Sequence, residues 1–398
     1  MTPPAQARAQ SRIQALDYIR GLSILGILLV NAIAFAQPFD VYGLPSASPV
    51  ALTHDDLTTW WVIETFFKEK FITCFTLLFG VSIYLVGRDT NPNDPIYRTP
   101  LFRRLAWLIL FGLIHGVLIW HGDILLSYAV TGFVFWRWQA ASARRLLLWG
   151  KGLFILGTLT LLGGNIAEDL QGIVRAPNVA EVPAIVVHMR GGFWDSLGQN
   201  AVTWGKTIVP ELLGFMPTTL GLMMVGLGLF KSGILAGEAK GRTYLGLIVA
   251  GLVSLILIGW QASVTLAEWF PFPKTFGLYG LANSLLCLPV ALGYASALIL
   301  AGRTRFGAIC LYPLACAGRM AFTNYLTQSL IMTGLFYGGR GLGLFGTMNH
   351  AALVPIVMAI WAGQLVVSTI WMSLFRYGPF EWGWRCLTYA RSMPLTKG

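Results

Sequence analysis

Ten nearly uninterrupted apolar stretches divide this chain, at roughly 16–36, 59–87, 101–120, 122–138, 143–164, 207–230, 243–268, 276–301, 313–336 and 351–375. A helix needs about 20 such residues to cross the hydrocarbon layer of a bilayer. The pattern therefore predicts an all-α fold, a polytopic membrane helical bundle of about ten transmembrane helices. The fourth stretch is short, and only the turn around His121, Gly122 and Asp123 separates it from the third, so these two predict an antiparallel hairpin. The chain reads as a single integral membrane domain, residues 1–398. Within it, 165–206 is expected to form an extracytoplasmic lid-like segment, because Pro183 and the Gly191-Gly192 pair interrupt it and apolar pieces such as AIVV are too short to span.

The first stretch, LDYIRGLSILGILLVNAIAF, carries Asp17, Arg20 and Asn31. At 100° per residue, the step from Arg20 to Asn31 returns almost to the same face, roughly 16 Å further along the axis. Ionisable groups within a span turn toward protein or a wet cavity, since exposure to lipid costs at least ~2.5 to 3.5 kcal/mol. Either the rest of the bundle wraps this polar face, or Asp17 and Arg20 pair in the headgroup layer and only Asn31 lies deep.

Composition narrows the class. A chain that is 56% hydrophobic and 11% charged, with a mean hydropathy of +0.66, is too apolar for a soluble globule. The N-terminal dodecamer lacks a signal-peptide core with a cleavage site, so the first apolar run is expected to remain as an anchor. The five cysteines show no CxxC spacing, and neither a metal site nor a disulfide framework is expected.

The formal charge of +11 has a topological origin. Most of the 28 Lys and Arg residues fall at the N-terminus, in the even-numbered connections and after the last span. The opposite side holds only Arg175, Arg190, Lys206, Lys274 and Arg340, while Lys68 and Lys70 lie within the second span. By the positive-inside rule both termini are cytoplasmic. No Lys/Arg tract interleaved with aromatics is present, so no nucleic-acid partner is expected. The C-terminal RYGPFEWGWRCLTYAR suits the lipid interface, with Glu381 and Arg385 spaced as an i, i+4 pair.

This orientation gives each intramembrane polar group a depth. Asn31 falls in the outer half of the first helix, Glu64, Lys68, Glu69 and Lys70 in the outer half of the second, and His115 close to that level on the third, with His121 and Asp123 at its outer end. Glu64 and Lys68 form an i, i+4 pair that neutralises itself, which leaves Lys70 to seek a buried partner such as Asp123. His115, in LILFGLIHGVLIW between Gly112 and Gly116, is either a hydrogen-bonded structural histidine or a general base with room for an acceptor. Asn324, Tyr325 and Gln328, in GRMAFTNYLTQSLI, either line the same cavity or bond between helices.

The segments RIQALDYIRGLSILGILLVN, EKFITCFTLLFG, RRLAWLILFGLIHGVLIWHGDILLSYAVTG, GRMAFTNYLTQS and YGPFEWGWRCLTY resemble the YeiB-like bacterial membrane proteins, classed as a domain of unknown function. The N-terminal helix is in turn similar to that of transmembrane acyltransferases, a group that includes lysosomal heparan-glucosaminide acetyltransferase and bacterial polysaccharide O-acyltransferases. The resemblance implies a protein of the bacterial inner membrane that moves an acyl group from cytoplasmic acyl-CoA to an extracytoplasmic glycan or lipid acceptor. Arg20 matches the family arginine, whereas Asn31 occupies the position of the O-acyltransferase histidine. The glucosaminide branch has asparagine there and a histidine soon after, while the next histidine here is His54.

The expected site therefore has His115 as base, Asn31 as oxyanion donor and Asp123 orienting, with Arg20, Lys70, Asn324, Tyr325 and Gln328 binding substrate. No metal takes part, and the partners are membrane lipids, the acyl-CoA donor and the acceptor. The rival reading is a transporter or exporter of a small polar or amphipathic solute. The absence of an internal sequence repeat weighs against it.

Overall fold

The first apolar run forms α1, Ala5–Ala36, whose side chains are buried almost continuously from Leu16 to Ala36 and enter three separate apolar clusters of the core. The computed structural model describes residues 5–87, 99–173, 180–272 and 274–397, so Arg175 lies outside the described residues, as does part of 165–206. A short α2, Phe39–Gly43, follows α1, and the second apolar run becomes two helices, α3, His54–Phe66, and α4, Lys70–Gly87. The break falls at Glu69, whose φ of 67° is the left-handed region that side chains other than glycine rarely adopt.

Helix α5, Pro100–Ile114, ends in a π turn over His115–Ile119 and returns through α6, Leu125–Phe135. The long helices α7, Ala143–Leu170, and α9, Phe193–Lys231, flank α8, Val182–Arg190, and α10, Gly241–Ala267, pairs with α11, Leu278–Gly302. The chain closes with α12, Arg305–Cys310, α13, Tyr312–Arg319, α14, Ala321–Phe336, α15, His350–Leu374, and α16, Pro379–Tyr389. Among the described residues the only β feature is a bridge between Phe375 and Thr396.

The protein is thus an all-α membrane bundle, and among the described residues 8 helical segments, α3 and α4 together counting as one, are long and apolar enough to span. The two remaining runs differ from the sequence expectation. The fourth yields only the short α6 followed by a tight turn at Trp136–Trp138, and the ninth is split at Met320 into α13 and α14. Of the lid-like 165–206, the first residues prolong α7 and the last belong to α9. Between them α8 packs on α9 and meets the segment after α14, where Gly338 N donates to Met189 O at 2.8 Å.

Basic residues separate by end. At the end of the bundle that holds Arg20, Arg319 acts with it on Asp17, Arg103 donates to Thr388 O at 2.9 Å, and Lys231 and Arg303 bind carbonyls of the connections at 139–141 and 237–239, while Arg190, Lys206, Lys274 and Arg340 belong to the connections of the other end. Close helix approach depends on small residues. A Cβ on Gly21 would stand 2.0 Å from Leu314 O, and one on Gly318 would stand 2.0 Å from Asp17 O, so α1 and α13 cross backbone to backbone.

Candidate functional site

The π turn that ends α5 puts His115 at the centre of the bundle. Its wider ring runs from Trp120 N to His115 O, at 2.8 Å, and frees carbonyls that an α-helix end would otherwise leave to solvent. Asn200 on α9 meets these groups: its Nδ2 donates to Gly116 O and Val117 O at 2.9 Å, and its Oδ1 accepts from His121 N at 2.8 Å. Arg340 Nη1 donates to Leu118 O at 2.6 Å. The loop from His115 to Asp123 is therefore held from two sides.

Inside this brace, His115 Nδ1 lies 3.0 Å from Asp123 Oδ1 and His115 Nε2 lies 2.9 Å from Ser329 Oγ. Asp123 uses its other oxygen to accept from Leu126 N at 2.9 Å, capping α6. Where Asp123 is ionised and the imidazole neutral, the carboxylate, which can only accept, keeps the proton on Nδ1 and Nε2 turns its lone pair to Ser329 Oγ, whose hydroxyl also lies 3.2 Å from Tyr325 O. His115 is 0% exposed, Asp123 1% and Ser329 1%. The Tyr325 ring lies against the imidazole with centroids 4.9 Å apart.

Lys70 does not reach Asp123, contrary to the sequence expectation. Its ammonium, at the start of α4, donates to Glu64 O at 2.7 Å and to Asn283 Oδ1 at 2.6 Å. The break at Glu69 folds Lys70 back over the C-terminal turn of α3, whose unpaired carbonyls attract a cation. Glu64 binds Lys68 at 2.9 Å and Asn283 at 2.7 Å, and Glu69 accepts from Ser284 at 3.1 Å. Glu211, on α9 after Pro210, acts electrostatically on Asp123, Tyr325 and Tyr42. Burial, reinforced by Glu69, Glu64 and Glu211 against Lys68, pushes the Tyr42 hydroxyl up to about 12.

The other predicted residues separate by role. Arg20 pairs with Asp17 at 2.8 Å. Asn324 Nδ2 donates to Ala317 O at 3.1 Å and Ser368 Oγ at 3.2 Å, while Gln328 Nε2 donates to Gln364 Oε1 at 2.8 Å. These two tie α14 to α15, whereas Tyr325 turns to His115. Asn31 is half-buried and belongs to neither network. Glu381 does not use its spacing to Arg385. It accepts from Phe322 N at 2.6 Å and Thr323 N at 3.0 Å, capping α14, while Arg385 lies over Tyr377. Sequence reasoning missed Ser329, Asn200, Asn283 and Glu211. The only available signal for Ser329 was its position four residues after Tyr325, on the same helix face.

At the far end a cavity of about 210 Å³ is lined by Phe39, His121, Gln199, Thr203 and Thr207 among others. His121 is buried there with neither ring nitrogen at hydrogen-bond geometry to a protein group, and burial lowers its pKa to about 4 against the opposing effect of Asn200. Trp120 contacts both imidazoles, with ring centroids 5.8 Å from His121 and 6.3 Å from His115. At the Arg20 end, the Arg104 guanidinium lies 3.6 Å over the Trp384 ring, within reach of the charges of Arg385 and Arg20.

A family model described as "Protein of unknown function (DUF418)" matches residues 229–391. The chain is 33% identical to the uncharacterized protein YeiB of Escherichia coli (strain K12), over 95% of this chain and 97% of that one. It is 32% identical to the uncharacterized protein YxaH of Bacillus subtilis (strain 168), over 97% and 96%. An uncharacterized 39.9 kDa protein of Bacillus acidopullulyticus is 26% identical over 96% of each chain.

Proposed function

The chain belongs to the YeiB-like family of bacterial membrane proteins, and from that premise we propose that it is a transmembrane acyltransferase of the inner membrane. One observation carries this reading: a fully buried imidazole held by a carboxylate on one nitrogen and a hydroxyl on the other. Such an arrangement sets the tautomer, leaves a lone pair ready to take a proton, and stabilises the imidazolium that results. Both termini face the cytoplasm in this reading. The acyl-CoA donor approaches the end where Arg20, Arg104 and Arg385 concentrate positive charge, which suits the phosphates of coenzyme A. The acceptor, an extracytoplasmic glycan or lipid hydroxyl or amine, enters by the cavity beside His121. His115 removes its proton and Asp123 orients the ring.

The test uses the purified full chain in detergent with acetyl-CoA, followed by thioester consumption in the presence of a membrane-lipid extract and by calorimetry for donor binding. His115→Gln is expected to reduce turnover by roughly 10² to 10⁴ while donor binding changes little. A variant with a lowered melting temperature but full specific activity would overturn the assignment.

The broken span favours a second reading. The Glu69 break, with Lys70, Glu64 and Asn283 buried around it, is the kind of interruption that lines solute sites in transporters. Solute counterflow in proteoliposomes that is abolished by Lys70→Met, with no thioester turnover, would favour transport.

A further inference from the structure

Ser329 is the hydroxyl whose surroundings exceed what packing requires. A serine in a membrane helix ordinarily satisfies itself on the carbonyl four residues back, and Ser329 Oγ does lie 3.2 Å from Tyr325 O. Its shorter contact, at 2.9 Å, is to His115 Nε2, whose ring is oriented by Asp123 on the other side. The three groups come from α14, the π turn after α5 and the start of α6, and all are sealed from solvent. A hydroxyl donating to an imidazole that is itself fixed by a carboxylate is the arrangement that makes a weak oxygen nucleophile reactive.

Position adds a second argument. Helix α14 begins at the Glu381 cap, near the arginine end, and finishes beside the far-end loop, so Ser329 lies about 12 Å along its axis, at a rise of 1.5 Å per residue. The cavity at His121 and the cluster around Arg104 lie toward opposite ends of the bundle. A reaction whose donor and acceptor arrive from opposite ends needs either both at the centre together or a carrier that holds the acyl group between two visits. A buried nucleophile midway provides the carrier.

Resting on the acyltransferase reading, we infer that Ser329 is a catalytic nucleophile and that the reaction passes through an acyl-Ser329 intermediate. In the first half-reaction Ser329 Oγ attacks the thioester carbonyl as its proton passes to His115 Nε2. The carbon–sulfur bond breaks, and the coenzyme A thiolate leaves with that proton. In the second, His115 takes a proton from the acceptor hydroxyl or amine, which attacks the ester. The carbon–oxygen bond to Ser329 breaks, and the proton returns to Oγ. No oxidant, reductant or further reactant is needed.

A ping-pong enzyme exchanges free coenzyme A into acyl-CoA without any acceptor, because the first half-reaction is reversible. The purified full chain is incubated with acetyl-CoA or palmitoyl-CoA plus isotopically labelled coenzyme A, and the quenched protein is mapped by mass spectrometry. The expected result is exchange, one acyl group on Ser329, and loss of both by at least 10²-fold in Ser329→Ala and His115→Gln. Ser329→Cys retains acylation, now as a thioester cleaved by neutral hydroxylamine, which a purely structural serine would not yield. Exchange that survives in a folded Ser329→Ala protein, or an acyl group on another residue, overturns the serine. Thioester consumption with membrane-lipid extract but no exchange also overturns it, and leaves His115-catalysed direct transfer standing. A folded wild-type chain that neither exchanges nor consumes the thioester overturns the acyltransferase reading along with the inference.

Discussion

Two buried histidines six residues apart are held in opposite ways. His115 has a partner on each ring nitrogen, whereas His121 lines a cavity with neither nitrogen at hydrogen-bond geometry to a protein group. His121 is therefore neutral in the folded protein, its pKa lowered to about 4 by burial, while an unfolded chain protonates near the ordinary value of about 6.5. Between these values the unfolded state binds a proton that the folded state does not, so stability declines as pH falls, by at most about 1.4 kcal/mol per unit. The wild-type melting temperature in detergent should drop between pH 7 and pH 5, and His121→Gln should flatten that drop. An acid limb unchanged in the variant would assign it to other groups.

At the scale of elements, the bundle depends on backbone approach at a few points. The α1–α13 crossing leaves no room for a methyl group at Gly21 or Gly318, because each faces a main-chain carbonyl rather than a side chain that can swing aside. Gly318→Ala should lower stability by roughly 1 to 3 kcal/mol, the usual cost of overpacking a close contact. Gly363→Ala on α15, where a Cβ meets nothing within 4 Å, should be neutral or stabilise slightly through helix propensity. Parallel melting curves decide, and equal effects at the two positions would show that the crossing has room to relax. The helix breaks at Glu69 and Met320 have a different role: each ends one helix where polar groups are needed inside the bundle. The first lets Lys70 fold back onto Glu64 O, and the second leaves amides at the start of α14 for Glu381 to cap.

At the scale of the whole molecule, the separation of basic residues between the ends of the bundle sets its expected orientation. Both termini should lie in the cytoplasm. Reporter fusions at the C-terminus should be active only with a cytoplasmic reporter. Activity of an extracytoplasmic reporter there would reverse the bundle and exchange the proposed donor and acceptor ends.

The sequence by itself determined the membrane class, the position of most spans and the end at which charge collects. Each of these follows from how long an apolar run lasts and what flanks it, which lipid and water impose residue by residue. It also put His115 in the outer half of the third span with Asp123 at that span's outer end, since a tight turn between two spans keeps their near ends together. Only the tertiary structure decided which groups those residues would meet. Ser329 lies 214 positions from His115, and a serine in an apolar helix carries no sign of whether it bonds to its own backbone or to an imidazole. Lys70 found Asn283 and a carbonyl of α3 instead of Asp123, and Asn324 and Gln328 turned to α15. These choices depend on the rotation of each helix about its axis and on where it bends. Many similar apolar surfaces, packed together, settle rotation and bending jointly, so no single stretch of sequence encodes them.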